Sequence, residues 1–303
     1  MVLGYQYLFF TFRLRHLSVA LIFRVMAELK YFKKMDRWLP VLGQGTWGVG
    51  GGFWSKDTSM DEEWEAALKR GIELGMTLID TAEMYGAGHS EEIVGRAISG
   101  FERDNLFIVS KVWPTHARYD DVVKAAEASM RRLGTYIDLY LIHWPPTEIP
   151  LCETMRGLES VVSRGYAKFI GVSNFGLELI EEARSCLSRE DIVAVENKFS
   201  LLDRRDEDTV IPYAEKEGML YLAYTPLEKG QLSMDSFLAD IGKKYGKTAT
   251  QVALNWLIVI NPVVPIPKAS SIKHVEENAG AMGWRLSQED WRLISERFRE
   301  LKA

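Results

Sequence analysis

Residues 106–143 read LFIVSKVWPTHARYDDVVKAAEASMRRLGTYIDLYLIH, and the hydrophobic pattern in them changes period twice. Residues 106–111 form a short, mainly aliphatic run, as a strand covered on both faces requires. Residues 119–133 then turn amphipathic with helical period, and Gly134 follows where a left-handed helix cap is wanted. Residues 137–143 return to an aliphatic run. Strand, helix and strand within so few residues is a βαβ unit, which places its two strands parallel in one sheet.

The same alternation extends in both directions. Further strands are predicted at residues 42–47, 77–80, 166–173, 192–197, 220–224 and 263–265, making eight with the two above. Helices are predicted at 59–74, 153–164, 177–186, 209–217 and 248–260, with a charged amphipathic helix at 287–301 packed outside. Ser59 followed by Glu62 fits a capping box. Gly75, Gly165 and Gly218 repeat the cap seen at Gly134. Eight recurrences predict a single-domain α/β fold, the (β/α)8 TIM barrel. An open dinucleotide-binding sheet would carry a glycine-rich phosphate loop leading into a helix, and no amphipathic helix directly follows Gly48, Gly50, Gly51 and Gly52.

Composition narrows the function classes. The chain has 303 residues, is 47% apolar and 26% charged, and carries a formal charge of -5, all within globular ranges. That charge supplies no broad positive field for nucleic acid. Cys152 and Cys186 are too few for a disulfide framework, and no zinc-ligand spacing occurs, so reduced thiols and a cytoplasmic protein are expected. Residues 1–34 lack the regular pattern. Their uncharged run at 17–23 is far short of the ~20 residues of a membrane span, so no membrane role is expected. We expect a poorly ordered extension, or a true start at Met26 or Met35, with the barrel domain spanning 35–303.

Barrel chemistry gathers where strands end. Three consecutive strands end in ionisable residues, Asp80, Lys111 and His143, and Tyr85 follows five positions after Asp80. Adjacent strands lie about 4.8 Å apart, so these ends can converge. Each residue also has a structural reading: a helix cap for Asp80, a rim charge for Lys111, a core histidine for His143 and a pocket wall for Tyr85. As a group they suggest more. An ammonium at Lys111, aimed by Asp80, would lower the pKa of the Tyr85 phenol, and His143 could donate to the same substrate oxygen. Such a set reduces a carbonyl.

Three motifs carry a resemblance: Leu78-Ile79-Asp80-Thr81-Ala82 with Met84-Tyr85-Gly86, Ser110-Lys111-Val112-Trp113-Pro114, and Leu141-Ile142-His143-Trp144-Pro145. Gly171-Val172-Ser173-Asn174-Phe175 adds a fourth. From about Trp38 to Arg292 the chain resembles the aldo-keto reductases, whose Asp, Tyr, Lys and His tetrad matches Asp80, Tyr85, Lys111 and His143. The resemblance implies hydride transfer from a nicotinamide to a carbonyl carbon, with Tyr85 as proton donor and no metal. It also implies that Ser173 and Asn174 hold the carboxamide, that Tyr224 stacks on the nicotinamide, and that Glu196 stands where Gln is usual. The loop with Thr225, Pro226, Leu227 and Gly230 would cover the pyrophosphate. Lys268 and Ser270 would meet the 2′-phosphate, and Glu277 and Asn278 the adenine; His274 takes the place of a common Arg. Gly45 and Thr46 complete the cofactor set. NADP is the implied cofactor, with NAD left open by Glu196 and His274. Trp47, Trp113 and Trp144 would wall the site for a small carbonyl substrate, in a monomer or small homo-oligomer. Two rival readings are a cofactor-binding subunit without turnover and a Schiff-base aldolase using Lys111.

Overall fold

The computed structural model describes residues 28–300 in full, and the backbone alone of 8–9 and 26–27. Most of the expected extension therefore lies outside the described residues. Eight strands form one sheet: β1 (Gln44–Gly45), β2 (Leu78–Asp80), β3 (Phe107–Val112), β4 (Ile137–Ile142), β5 (Ala167–Ser173), β6 (Ile192–Lys198), β7 (Leu220–Tyr224) and β8 (Val263–Pro265). Every neighbouring pair is parallel, and spatial order follows chain order. The ring closes between its ends. Gly43 N–H donates to Pro265 O at 3.0 Å and Gly45 N–H to Pro267 O at 3.1 Å. The fold is the (β/α)8 barrel.

Ten helices lie among the described residues: α1 (Asp61–Glu73), α2 (His89–Ile98), α3 (Tyr119–Leu133), α4 (Leu151–Ser163), α5 (Leu177–Ser185), α6 (Val210–Glu217), α7 (Ser236–Lys243), α8 (Ala249–Ile258), α9 (Ile272–Ala279) and α10 (Gln288–Glu300). Each crossover carries one, and the β7–β8 crossover carries two. Gly134 and Gly218 take the left-handed conformation expected of them, at φ 68° and 69°. The expected capping box at Ser59 does not form. Asp57 accepts the Ser59 N–H instead, at 2.8 Å, and α1 starts two residues later with an acidic first turn that suits the positive end of its dipole. A genuine capping box joins Thr248 and Gln251 at α8.

Below the strands, Leu29–Phe32 pairs antiparallel with Arg37–Pro40. This hairpin straddles residue 35, so paired structure begins upstream of the expected domain start. It buries Phe32, Met35 and Leu39 with Leu78, Phe107 and Leu139 of the barrel interior, closing the floor. The expectation of reduced thiols is also corrected. Cys152 of α4 and Cys186 after α5 come within 4.9 Å (Cα–Cα) and form a disulfide, because consecutive crossover helices pack side by side on the barrel's outside. Among the described residues, no helix is long and apolar enough to cross a membrane.

Candidate active site

The period-2 alternation of the strands aims the chemistry. Leu78 of β2, Phe107 and Val109 of β3, Leu139 and Leu141 of β4, and Ala194 of β6 all point into the barrel. Ile79, Ile108, Ile142 and Val195 pack outward under the helices. Counting on by twos from the inward set reaches Asp80, Lys111, His143 and Glu196, each at the carboxyl end of its strand. The same apolar pattern that builds the core thus crowds four polar groups into its top layer.

Lys111 is fully buried and lies at the centre. Its Nζ donates to Asp80 Oδ1 at 2.5 Å and to Thr81 O at 3.0 Å, lies 3.3 Å from Glu196 Oε1, and donates to the Tyr85 hydroxyl at 3.4 Å. The Tyr85 and His143 rings meet edge-on with centroids 5.5 Å apart. Trp47 packs edge-on against Tyr85 at 5.1 Å and Trp113 against His143 at 5.2 Å, holding both rings in place.

The expected sign of the Tyr85 shift is reversed. Burial pushes its phenol above the ordinary value; Lys111 pulls the other way, while Asp80 and Glu196 add to the rise. Sequence alone credits the lysine and misses both the desolvation and the second carboxyl. Tyr85 is accordingly protonated at neutral pH. Burial, aided by Lys111, holds His143 well below the usual histidine value, so its imidazole is neutral. Burial alone would also pull Lys111 down, but Asp80 and Glu196 hold it above the usual lysine value, as an ammonium.

Above this cluster opens a cavity of about 960 Å³. Asp80, Tyr85, His143 and Glu196 lie at one end with Trp47 and Trp144, and Ser173, Asn174 and Tyr224 share its wall. Asn174 sits at φ 64°, donates to His143 O at 2.9 Å and accepts from the Tyr224 hydroxyl at 2.6 Å, which fixes the orientation of that wall. Gly45, Thr225, Pro226, Leu227 and Gly230 continue the lining toward Lys268, His274, Glu277 and Asn278. Four expected residues are outside it. Lys111 is fully buried, Thr46 is buried with its hydroxyl donating to Asp80 O at 2.9 Å, Trp113 packs edge-on against His143, and Ser270 is not among the lining residues.

The lining also includes residues that sequence reasoning passed over. Met84 directly precedes Tyr85 and Lys229 lies between Leu227 and Gly230, so both were within reach; Ser233 and Thr250 carried no signal. A strap formed by Gly51–Gly52 pairing with Ser55–Lys56 brings Phe53 to 5.3 Å from Trp113. The cavity suits a dinucleotide. Lys229 and Lys268 supply positive charge along it, and at the end beside Tyr85 two buried polar atoms, His143 Nδ1 and Glu196 Oε2, lack partners within the protein.

Comparison with known proteins places this geometry. Residues 41–297 match the model of the Aldo/keto reductase family. The chain is 35% identical over 266 residues to the methylglyoxal reductase YeaE of Escherichia coli, covering 86% of this chain and 91% of that protein. A thermostable aldo-keto reductase crystallised with the inhibitor epalrestat superposes with a TM-score of 0.84 at 44% identity, covering 88% and 98% of the two chains. An aldo/keto reductase from Klebsiella pneumoniae in complex with NADP and acetate gives 0.79 at 35%, covering 88% and 93%. A tetrad-bearing barrel mouth, a match across most of the chain and close structural likeness agree: the chain belongs to the aldo/keto reductase family, as an NAD(P)-dependent oxidoreductase of carbonyl groups.

Proposed function

We propose that Tyr85 is the proton donor in reduction of a small aldehyde or ketone, with His143 binding the same oxygen and Lys111 and Asp80 keeping the phenol in place. The observation that carries the reading is the meeting of Tyr85 and His143 at one end of a single cavity, over a lysine 3.4 Å from the phenol and sealed from solvent. When bound, the nicotinamide supplies the hydride. As the carbonyl carbon accepts it, negative charge grows on the oxygen, and an alkoxide is a stronger base than a phenolate. A raised phenol pKa therefore does not prevent transfer; it keeps the proton on Tyr85 until that charge develops. The neutral His143 ring donates a second hydrogen bond to the oxygen, worth most in a site that excludes water.

Lys268, with His274 nearby, supports recognition of a 2′-phosphate and hence NADP. Glyoxal reductase of Bacillus subtilis and methylglyoxal reductase of Escherichia coli are among the relatives, and the mouth here is walled by Trp47 and Trp144. The reading is a small dicarbonyl or an aldehyde with a compact apolar group. The aldolase alternative loses ground because Lys111 is fully buried and held protonated by its pairing with Asp80, leaving no free amine.

Mixing the protein with NADPH and either methylglyoxal or 4-nitrobenzaldehyde tests the reading. Loss of the nicotinamide absorbance is expected. Quenching of cofactor fluorescence with constant absorbance would identify a binding subunit instead.

A further inference from the structure

Two carboxyls share one ammonium at the bottom of this site. Asp80 and Glu196 are each 2% exposed, and Lys111 Nζ stands 2.5 Å from one and 3.3 Å from the other. With both ionised, the cluster would bury a net negative charge, which in a dry pocket is costly. Glu196 Oε2 has no partner within the protein, and the residue lines the cavity. Asp80 has the shorter contact with the ammonium, so the proton that the pair retains belongs on Glu196. The charged and titratable groups around it are Asp80 and Tyr85 from β2 and its loop, Lys111 from β3, His143 from β4 and Tyr224 from β7. On its own strand, Lys198 is engaged elsewhere, 2.9 Å from Glu228. Of these neighbours only Lys111 is a cation.

We propose that Glu196 is a proton-holding site coupled to the charge of the nicotinamide: its carboxyl is protonated opposite the reduced ring and gives up that proton opposite the oxidised one. The proposal rests on the reading that the nicotinamide occupies the Tyr85 end of the cavity, where hydride can reach a carbonyl bound to Tyr85. Glu196, Asn174 and Tyr224 wall that end. An oxidised nicotinamide ring is a cation and a reduced one is neutral, so only the first compensates a carboxylate at Oε2. Burial and Asp80 push the Glu196 carboxyl well above the usual range, with Lys111 opposing, in the direction that favours a retained proton before the cation arrives.

In reduction the carbonyl carbon takes the hydride and the oxygen takes the Tyr85 proton. The Tyr85 phenolate takes a proton from the Lys111 ammonium, and Lys111 takes one from Glu196. The Glu196 carboxylate is then balanced by the oxidised ring, and it recovers a proton from solvent when the oxidised cofactor leaves. One hydride and one proton are consumed per carbonyl.

Calorimetric titration with NADP+ and with NADPH, each in two buffers of different ionisation heat near pH 7.5, counts the protons released on binding. Ionisations common to both cofactors cancel in the difference. The wild-type protein should release up to one proton more with NADP+ than with NADPH, and NADP+ affinity should rise by up to about tenfold per pH unit while NADPH affinity changes less. In Glu196→Gln, nearly the same size as the protonated acid, the difference should vanish. Equal proton counts for the two cofactors in the wild type, which needs no variant, would overturn the coupling and leave the cofactor reading standing. An unchanged difference in Glu196→Gln would overturn the assignment to Glu196. Binding of neither cofactor would overturn both readings.

Discussion

At Tyr85 the phenol is pulled up by burial and down by Lys111, and the first effect is larger. Removing the lysine should therefore damage more than the acid. Lys111→Met leaves the Asp80 carboxylate buried without its cation, a loss on the order of 3–5 kcal/mol, visible as a fall in thermal midpoint along with lost turnover. Glu196→Gln should act oppositely on stability. A buried acid whose folded pKa is raised costs stability as pH rises from its unfolded value through its folded one, because the folded state must give up a proton it holds more tightly. The variant should gain in melting temperature over the wild type more at pH 8.5 than at pH 5.5; an equal gain at both would refute the raised acid. Lys268→Ala should weaken NADPH more than NADH, measured by fluorescence titration. Asp80, Lys111 and His143 were legible as candidates because they end apolar strands, and Tyr85 because it follows Asp80 in the loop. The contact between Glu196 and Lys111 was not: β6 and β3 are not neighbours in the sheet, and only barrel closure brings their ends together.

Among the elements, α3 and α6, each closed by a left-handed glycine, were readable, while three helices without such a cap were not. α3 spans the predicted 119–133 without change, whereas α2, α7 and α9 went unrecognised. α2, α7 and α9 end at Ser99, Lys244 and Gly280 in the right-handed region, without the left-handed glycine that marks the end of α3 or α6, and α2 starts directly after the Gly86–Gly88 turn, which reads as loop. That turn matters to the site. Gly86 follows Tyr85 at φ 58°, and a Cβ there would strike the Gly50 carbonyl of the strap. Gly86→Ala should cost about 1–2 kcal/mol from backbone conformation alone, and more from the clash. Because it shifts the loop carrying Tyr85, kcat should fall further than cofactor affinity does. A kcat within twofold of wild type would show that the loop tolerates the displacement.

For the whole molecule, the alternation of strands and helices was enough to name the barrel, while its two closures came only with the structure. One is the hairpin floor, where buried Lys30 donates to Ile260 O at 2.8 Å and Val263 O at 2.6 Å, and burial lowers its pKa to about 7. The other is the bond between Cys152 and Cys186, 34 residues apart, which the two-cysteine count argued against. Opening it with a reductant should remove about 2–4 kcal/mol and lower the melting temperature, while turnover measured well below that temperature is retained. The central claim is that the barrel mouth reduces a carbonyl with the Tyr85 proton. Stopped-flow measurement of NADPH oxidation by Tyr85→Phe, with cofactor affinity followed in parallel, tests it most directly. Affinity within a few-fold of wild type and a rate at least about a hundredfold lower are predicted; an unchanged rate would contradict the assignment.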